Sequence, residues 1–297
     1  MKKSLIALFC LSNILLGCKN DKVAMVKVNI DPDTTATDAE QQSDEVTEES
    51  LIEEREMPSS AEMLFDDFFF NFAANKHLQM ERIAFPLTVN SGYKVEEIQQ
   101  SDWQMERFFM NDDVYTLIFD DESQMERMKD MTISEAIVER FYLDRDFVKQ
   151  YLFSRKSGRW MLTEIRNQTL PKNPNESFIR FYHQFATDSV FQRASLNQEI
   201  SYQGPDPDAE PEEMESEYEA ATLDDDATML EGFISPDLWD DFAPELPKTM
   251  LYNIVYGPLP QNTKQKILLL RGVSNGFEEE LTFRQMHGKW KLTRITR

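Results

Sequence analysis

The chain has 297 residues, of which 54 are acidic and 31 are basic, and its formal net charge at pH 7 is −23. This charge excludes electrostatic attraction to nucleic acid and to anionic membrane surfaces, and it suits a basic partner or repulsion from other anions. The length is sufficient for two domains that each bury a core of their own.

The N-terminus has the pattern of an export signal. Two lysines precede an apolar run, Ser4 to Leu16, which is as long as the core of a signal peptide and too short to cross a bilayer. The run ends in Leu15-Leu16-Gly17-Cys18, which resembles a bacterial lipobox. This resemblance implies that residues 1–17 are a lipoprotein signal peptide and that Cys18 is lipidated, so that acyl chains hold the mature chain on a membrane. The alternative is an ordinary secretory signal that contains a cysteine by chance.

The chain contains two cysteines, and neither is left as a thiol in the predicted mature protein. Cys10 leaves with the signal peptide and Cys18 is acylated, so we expect no disulfide and no cysteine metal site or nucleophile. Lys19 follows the lipidated cysteine where aspartate would resemble a signal for retention in the inner membrane. We therefore expect the protein in the cell envelope, anchored to the outer membrane, and the sequence leaves open whether it faces the periplasm or the cell surface.

An acidic stretch without aromatic residues, residues 18–60, follows the signal peptide. Such a composition buries too little apolar surface to offset the entropy lost on ordering the chain. We predict a disordered tether that holds the folded domains away from the membrane. The alternative is an acidic tail that binds a specific partner.

The rest of the chain contains one domain twice. FDDFFFNFAANKHLQMERI, which begins at Phe65, aligns without a gap with FIRFYHQFATDSVFQRASL, which begins at Phe178. SGRWMLTEI, which begins at Ser157, aligns in the same way with HGKWKLTRI, which begins at His287. Because the two pairs occur in the same order, we read them as the start and the end of two copies.

The predicted repeats are residues 61–170 and residues 174–297. The two hairpin strings, at Ser157 and His287, are further apart in the chain than the two helix strings, at Phe65 and Phe178. The second repeat therefore has extra residues, which we assign to the acidic stretch at about 205–231. We predict a disordered, strongly anionic loop there, with weak binding of divalent cations as the alternative. Asp224-Asp225-Asp226 lacks the spacing and the glycine of a calcium-binding loop.

Each repeat opens with four apolar positions at helical spacing, i, i+3, i+4 and i+7, which mark one face of a helix. These positions are Phe65, Phe68, Phe69 and Phe72 in the first repeat and Phe178, Phe181, Tyr182 and Phe185 in the second. We expect both stripes to form core, and the alternative is that they line a ligand cavity. Ser59, three residues before Glu62, predicts a capping box at the start of the first helix.

Each repeat closes with a β-hairpin. Ser157-Gly158 and His287-Gly288 are predicted two-residue type I′ turns, because glycine suits the positive φ of the second turn position. Alternation of apolar residues predicts further strands, and since these follow one another along the chain the sheets should be mostly antiparallel. The further strands are Val114 to Phe119, Ser134 to Tyr142, Met250 to Tyr256 and Lys266 to Arg271. Trp103 and Trp239 are predicted core residues, each beside a short helical turn.

The helical stripe, the antiparallel strands and the final Gly-x-Trp-x-Leu hairpin together resemble the nuclear-transport-factor-2-like superfamily. This resemblance implies an α+β fold in each repeat, in which a curved, mostly antiparallel sheet wraps an N-terminal helix as a cone. It also implies that the two repeats pack on each other as an intramolecular pseudo-dimer. From lipobox to final hairpin, the chain resembles two-domain lipoproteins of unknown function from Gram-negative bacteria. The superfamily includes isomerases, dehydratases, transport adaptors and binding domains, so the fold does not choose a function.

The sequence predicts no catalytic, cofactor-binding or metal-binding residue. The three histidines, His77, His183 and His287, form no metal-binding spacing, and the chain has no phosphate-binding or dinucleotide-binding motif. His183 lies beside a tyrosine on a helix, where it is either an acid–base group of a pocket or an ordinary helix residue. Asp66 and Asp67 are predicted to lie on the solvated face of the first helix.

Two hypotheses for function remain open. The first is a non-catalytic binding or interaction module of the cell envelope, held on the membrane by its lipid anchor, with an envelope protein as partner. The second is a small-molecule-binding pocket, or an isomerase-like or hydratase-like enzyme, inside one of the cones. A cone filled by aromatic residues favours the first hypothesis, and a buried polar pocket favours the second.

Overall fold

The computed structural model describes residues 57–205, 229–257 and 264–297. Cys18, the predicted signal peptide, most of the predicted tether and residues 206–228 of the predicted acidic loop lie outside the described residues. No helix in these three described ranges is long and apolar enough to cross a membrane.

The two long helices and the strands of the repeats follow the same order, and the repeats differ in the place of one short helix, which follows the third strand in the first repeat and precedes it in the second. The first repeat contains α1 (Phe65–Ala74), α2 (Lys76–Arg82), β1 (Ile83–Asn90), β2 (Val95–Ile98), β3 (Val114–Phe119), α3 (Glu122–Met125), β4 (Glu135–Tyr142), β5 (Phe147–Lys156) and β6 (Arg159–Thr169). The second contains α4 (Glu176–Thr187), α5 (Ser189–Ala194), β7 (Leu196–Pro205), β8 (Met229–Ile234), α6 (Trp239–Phe242), β9 (Met250–Tyr256), β10 (Gln265–Gly272), β11 (Glu278–Met286) and β12 (Lys289–Thr296). The strands predicted from alternation are all present, whereas β1, β2, β7 and β8 were not predicted.

The strands form two six-stranded sheets. The order is β2-β1-β6-β5-β4-β9 in the first sheet and β3-β10-β11-β12-β7-β8 in the second. In the described strands β1 and β6 run parallel, as do β7 and β12, and all other neighbours are antiparallel. The predicted α+β class with mostly antiparallel sheets is therefore confirmed.

The two repeats exchange one strand. β3 belongs to the first repeat by sequence but pairs with β10 in the second sheet, and β9 belongs to the second repeat but pairs with β4 in the first sheet. The repeat boundaries therefore mark the duplicated sequence, and neither sheet is built from one contiguous repeat. The two exchanged strands also contact each other. Thr116 Oγ1 donates a hydrogen bond to the carbonyl of Tyr252 at 2.8 Å, and the backbone N–H of Ile118 donates to Asn253 Oδ1 at 2.8 Å.

The aromatic stripes of α1 and α4 lie in the core, as predicted. Phe65, Phe68, Phe69 and Phe72 are fully buried, and Phe178, Phe181, Tyr182 and Phe185 are at most 8% exposed. The predicted capping box was wrong. Ser59–Glu62 forms a 3-10 turn without a side-chain cap, and the α-helix begins later, at Phe65. The Glu62 carboxylate instead contacts the guanidinium of Arg82 and accepts a hydrogen bond from the backbone N–H of Trp160.

Both final hairpins have the predicted type I′ turn. The φ angles are 51° at Ser157 and 82° at Gly158, and 50° at His287 and 77° at Gly288. Positive φ at both central positions matches the twist of antiparallel strands. The chain therefore turns within two residues, which brings Trp160 and Trp290 to equivalent places against their helices.

The extra residues of the second repeat connect β7 and β8, which correspond to the short β1–β2 hairpin of the first repeat. The offset between equivalent residues of the two repeats is larger at Trp103 and Trp239 than at Gln79 and Gln192. This offset is smaller again at the final hairpins. The insertion between β7 and β8 is therefore longer than the difference in offset between the first helices and the final hairpins. The second repeat has a shorter connection between β9 and β10, and this deletion offsets part of the insertion. The acidic loop predicted at about 205–231 falls between β7, which ends at Pro205, and β8, which begins at Met229.

A glutamine side chain anchors the first of the two tryptophans in each repeat. Trp103 Nε1 donates to Gln79 Oε1 at 3.1 Å, and Trp239 Nε1 donates to Gln192 Oε1 at 2.9 Å. Gln79 makes three further hydrogen bonds, to the carbonyl of Phe72 and to the backbone N–H and C=O of Glu106. As predicted, Trp239 is buried beside a helical turn, whereas Trp103 is only partly buried.

Replacement of Gln79 by leucine is expected to destabilise the protein more than the same change at Gln192. The first variant leaves four polar groups without their partner, and we expect a loss of about 2–3 kcal/mol in the free energy of unfolding. The second leaves one, and we expect about 1 kcal/mol. Urea unfolding followed by tryptophan fluorescence measures both losses. Equal losses at the two positions would contradict the assignment of the extra anchoring to Gln79.

Candidate functional site

The space between each helix and its sheet, which we call a cone, is filled by aromatic side chains. In the first cone, Phe65 packs edge-on against Trp160 with ring centroids 4.9 Å apart, and Phe72 packs against Phe153 at 5.3 Å. In the second cone, Phe185 packs against Phe283 at 5.3 Å in the same perpendicular arrangement. The stripes therefore fill the cones, which is the arrangement that favours the first functional hypothesis.

A segment that begins at the first tryptophan of each repeat covers the open end of its cone, and we call it the mouth segment. The first mouth segment, residues 103–113, inserts Phe108 and Phe109, which are 7% and 0% exposed. Phe108 has a φ angle of 51°, which is uncommon for a bulky side chain, and its ring contacts that of Tyr151 at 4.8 Å. The second mouth segment, residues 239–249, inserts Phe242 and Leu246, which are also buried.

The first mouth segment also carries a carboxylate into a ring of donors. Glu106 accepts hydrogen bonds from Arg140 Nη2 at 2.9 Å, from the Tyr151 hydroxyl at 2.6 Å and from Lys149 Nζ at 3.4 Å. Burial disfavours ionisation of Glu106, but Arg140, Tyr151 and Lys149 outweigh it and lower the pKa of this carboxyl group. Sequence reasoning missed this cluster, because its members lie on a loop and on two strands and share no local pattern.

An open groove of about 780 Å³ lies between the two mouth segments. It is lined by residues 111–116 of the first repeat and by residues 243–247, Thr249, Met250, Tyr252, Phe277, Glu279 and Arg297 of the second. The exchanged strands β3 and β9 contribute to its floor. Both repeats thus build the groove, and it exists because the strands cross between the sheets.

The groove is acidic with an apolar rim. Its lining residues include the acids Asp112, Asp113, Glu245 and Glu279, whereas Arg297 is the one base among them. Arg297 is paired with Glu279, its Nε lying 3.1 Å from Glu279 Oε1. Burial raises the pKa of Glu279 despite this pairing, and burial also raises the pKa of Asp112. Phe277 supplies an exposed aromatic ring at the rim.

A second, more open hollow of about 750 Å³ lies on the outer face of the second sheet. Its lining mixes acids and bases, among them Asp121, Glu199, Lys264 and Arg284, with the exposed ring of Phe233. This mixture of charges selects no class of ligand, so the groove between the mouth segments is the stronger candidate.

The structure does not bring the three histidines together. His77 is 81% exposed and lies 3.3 Å from Glu81, and His287 is exposed in its turn. His183 is partly buried on α4 and lines neither the groove nor the outer hollow. No group of three potential metal ligands occurs within the three described ranges.

The two aspartates of α1 differ in environment. Asp67 is exposed, as predicted, but the prediction was wrong for Asp66, which is partly buried and accepts a hydrogen bond from the Tyr256 hydroxyl at 2.6 Å. Burial raises the pKa of Asp66 to about 6, although Tyr256 and Arg271 oppose the shift. Tyr256 lies on the exchanged strand β9, far along the chain, so no local pattern signalled the contact.

Replacement of Asp66 by asparagine is expected to stabilise the protein at neutral pH and to leave it unchanged in acid. The pKa of Asp66 is raised from 3.8 to about 6 in the folded protein. The protonated carboxyl group therefore contributes its full stabilisation of the fold below pH 3.8, and this stabilisation is lost as the pH rises through 6. Asparagine still accepts the Tyr256 hydrogen bond but carries no charge. Because Asp66 keeps some contact with solvent, we expect a gain of about 1–2 kcal/mol at pH 8.

Urea unfolding at pH 4, 6 and 8 measures this gain, and Asp67→Asn is the matched control on the neighbouring exposed residue. If the unfolding free energies of Asp66→Asn and the unmodified protein ran parallel over this range, the buried carboxyl would not be the titrating group.

The comparisons with known proteins agree with this architecture. A family model described as a domain of unknown function (DUF4348) matches residues 44–222 and, a second time, residues 214–297. No curated protein matches the chain. Among solved structures, the chain is similar to the crystal structure of an NTF2-like protein from Bacteroides fragilis NCTC 9343, with 34% sequence identity and a TM-score of 0.69. That match covers 80% of this chain and 97% of the other, and it confirms the predicted nuclear-transport-factor-2-like fold.

Proposed function

The chain belongs to the family of the domain of unknown function DUF4348, and from that premise we propose that it is a non-catalytic binding module. Its binding surface is the groove between the two mouth segments. Its partner is an extended, basic segment of a protein in the cell envelope.

The observation that carries this proposal is the contrast between filled cones and an open groove. Aromatic rings occupy both cones, which speaks against the alternative of a small-molecule pocket or an isomerase-like site inside one of them. The groove is instead open to solvent and is built jointly by both repeats. A concave surface that presents several acids beside an exposed aromatic ring can recognise a basic protein segment through complementary charge.

The charges of the groove indicate the chemistry of the partner. Asp112, Asp113 and Glu245 have no base among the lining residues besides Arg297, which Glu279 already engages. The whole chain, at a net charge of −23, adds a long-range attraction for a basic segment. The exposed ring of Phe277 offers an apolar contact beside these acids.

The tether completes the proposed function. Acyl chains on Cys18 would hold the module on the outer membrane, and residues 18–60 would let it reach a partner at a distance. The resemblance to a lipobox supports this part of the proposal. Incorporation of an alkyne-labelled fatty acid in a Gram-negative host tests it, since Cys18→Ser should remove the label. Label that persists in this variant would refute the anchor and leave the groove proposal intact.

Photo-crosslinking in cells that produce the full chain tests the groove. A benzophenone amino acid replaces Phe277 at the rim or, as a control, Tyr93, which is 93% exposed between β1 and β2 at the far edge of the first sheet. We expect one envelope protein to be captured from position 277 and not from position 93. Capture of the same proteins from both positions would contradict a specific groove.

Charge reversal sharpens the crosslinking test. Asp113→Lys with Glu245→Lys should abolish capture from position 277, because both acids line the groove. Glu96→Lys with Glu97→Lys is the matched control, since these exposed acids lie on β2. A captured protein that is lost equally with both pairs would indicate attraction to net charge rather than recognition by the groove.

A further inference from the structure

The cluster around Glu106 has the form of an occupied anion site. Two cationic side chains and a hydroxyl converge on one carboxylate, and all three donors stand on neighbouring strands of the first sheet, Arg140 on β4 and Lys149 and Tyr151 on β5. The carboxylate itself comes from the first mouth segment. The rigid sheet thus provides the donors, and a loop provides the acceptor.

The second repeat shows that the fold does not require a carboxylate with cationic partners at this place. When the tryptophans and the final hairpins of the repeats are aligned, Phe242 stands where Glu106 stands, and Leu270 and Leu281 stand where Arg140 and Tyr151 stand. The pairing of β4 with β5 and of β10 with β11 has the same register, which supports this correspondence. Phe242, Leu270 and Leu281 are all buried. Lys149 corresponds to Glu279, which is buried and paired with Arg297, so the second repeat has no cationic floor at this place. A carboxylate held on a cationic floor is therefore particular to the first cone.

The cationic floor has donors that Glu106 does not use. Arg140 Nε and the Tyr252 hydroxyl are buried without a hydrogen-bond partner among the described residues, in side chains whose residues are 9% and 3% exposed. Glu106 engages Arg140 through Nη2, and its backbone is held in place by Gln79. A free carboxylate is not so constrained and can take the guanidinium fork with both oxygens, which is the stronger geometry.

The backbone of the first mouth segment is strained at Phe108. Phe108 holds a positive φ of 51°, a conformation that costs on the order of 1 kcal/mol for a bulky residue. Its ring lies 5.9 Å from the guanidinium of Arg140, so the same segment covers the donors and supplies the carboxylate. Movement of this one segment would expose the floor.

We propose that Arg140, Lys149 and Tyr151 form a carboxylate-binding site at the mouth of the first cone, and that Glu106 is its internal ligand. A ligand that carries a carboxylate takes the place of the Glu106 side chain, and a second acceptor on the ligand meets the Tyr252 hydroxyl. Tyr252 also lines the groove, so this site adjoins the surface proposed for the partner segment. Glu106, Arg140, Lys149 and Tyr151 are not among the lining residues, and the existence of the site does not depend on that proposal.

Removal of the internal ligand tests the site. Glu106→Ala leaves Arg140 and Lys149 without their carboxylate, so this variant should unfold more easily than the unmodified protein and should recover stability in sodium acetate. Sodium chloride at equal ionic strength is the control for screening of charge. At an acetate concentration about 100 times the dissociation constant, the folding equilibrium should shift by about a hundredfold. No gain beyond that in chloride would overturn the proposal.

Comparison of variants separates this site from adventitious acetate binding. The apparent affinity for acetate should be highest in Glu106→Ala and lower in Glu106→Gln, because glutamine keeps the shape of the side chain without its charge. The unmodified protein should bind acetate at least about tenfold more weakly than Glu106→Ala. Adding Tyr151→Phe to Glu106→Ala should weaken binding by roughly tenfold. Equal affinity in all of these proteins would place acetate elsewhere and overturn the proposal.

Two further ligands identify the source of the carboxylate. N-acetyl-diglycine presents the carboxylate of a peptide C-terminus, and its C-terminal amide is the matched neutral control. If the acid protects Glu106→Ala as well as acetate does and the amide does not, the site accepts peptide termini. If acetate alone protects, the site takes small acids. Protection by the amide would overturn recognition of a carboxylate.

Discussion

Chains that carry only one repeat are expected to be unfolded, whereas the two halves produced together should assemble into a one-to-one complex. Each half supplies five strands of one sheet and one strand of the other. Six of the seven residues of β9 are buried, and so are five of the six residues of β3. At about 1.5–3 kcal/mol for each large apolar side chain, loss of one such strand removes on the order of 10 kcal/mol, comparable with the whole stability of a domain.

Separate and joint production of residues 57–172 and 173–297 measures this effect. Circular dichroism and size-exclusion chromatography should show no cooperative unfolding for either half alone, and a folded 1:1 complex for the pair. The jointly produced pair is the matched control, because it has the same cut in the chain. A folded monomer of either half would show that a repeat completes its own sheet, and a folded homodimer would show that β3 or β9 pairs with another copy of its own half.

Polar pairs on the exchanged strands explain why β9, and not β3, completes the first sheet. Asn253 on β9 lies opposite Glu139 on β4, whereas Leu117 on β3 lies opposite Leu269 on β10. Leu117 and Asn253 occupy equivalent positions in the two repeats. If each strand instead completed the sheet of its own repeat, Leu117 would lie opposite Glu139, and Asn253 would lie opposite Leu269. A buried carboxylate would then lose a donor, and a buried amide would lose its acceptor, at a cost of about 1–3 kcal/mol for each unsatisfied group.

The surroundings of Glu139 show how closely this pair is matched. The side-chain amides of Asn253, Gln150 and Asn173 donate to its two oxygens at 2.9, 2.8 and 2.6 Å. Burial nevertheless raises the pKa of Glu139, against the effect of these three donors. Asn253 in turn accepts from the backbone of Ile118 on the other exchanged strand. The network therefore ties β4, β9 and β3 together at the place where the repeats cross.

Local periodicity was enough to predict the first helix and the final hairpin of each repeat, because their signals lie within a few residues of one another. The stripe of α1 and the turn at Ser157-Gly158 are of this kind, and the structure has both. β1 was missed because Pro86 and its irregular burial hide the alternation of a strand. The strand exchange was missed because β3 and β9 are equivalent segments of one repeat, and apolar alternation alone fits either of them to either sheet.

The candidate sites were harder to predict than the fold, since their residues meet only in three dimensions. Glu106 and Arg140 are 34 positions apart, and neither stands in a pattern that differs from an ordinary surface charge. Asp66 meets Tyr256 across 190 positions and through the exchanged strand. A signal was present in the repeat itself. Comparison of equivalent positions shows leucine in the second repeat where the first has Arg140 and Tyr151, and such a departure from internal symmetry marks residues that the fold does not need.

Lys266→Met is expected to cost about 3–5 kcal/mol in the free energy of unfolding, because it leaves a buried carboxylate without its counter-ion. Lys266 on β10 forms an ion pair with Asp120, which follows β3, and the two side chains are 2% and 7% exposed. Lys266 Nζ also donates to Asn175 Oδ1 at 2.6 Å, at the start of α4. Lys266 therefore links the end of the exchanged strand β3, through the ion pair, to the start of α4, through the hydrogen bond.

A second substitution separates the ion pair from the shape of the lysine side chain. Asp120→Leu added to Lys266→Met removes the unpaired charge, so the double variant should regain at least half of the lost stability. Lys264→Met is the matched control, since Lys264 is exposed next to the same strand and should change stability by less than about 0.5 kcal/mol. Urea unfolding of the four proteins measures these differences. A double variant less stable than Lys266→Met would mean that Asp120 stabilises the exchanged strand by itself, through contacts other than the lysine.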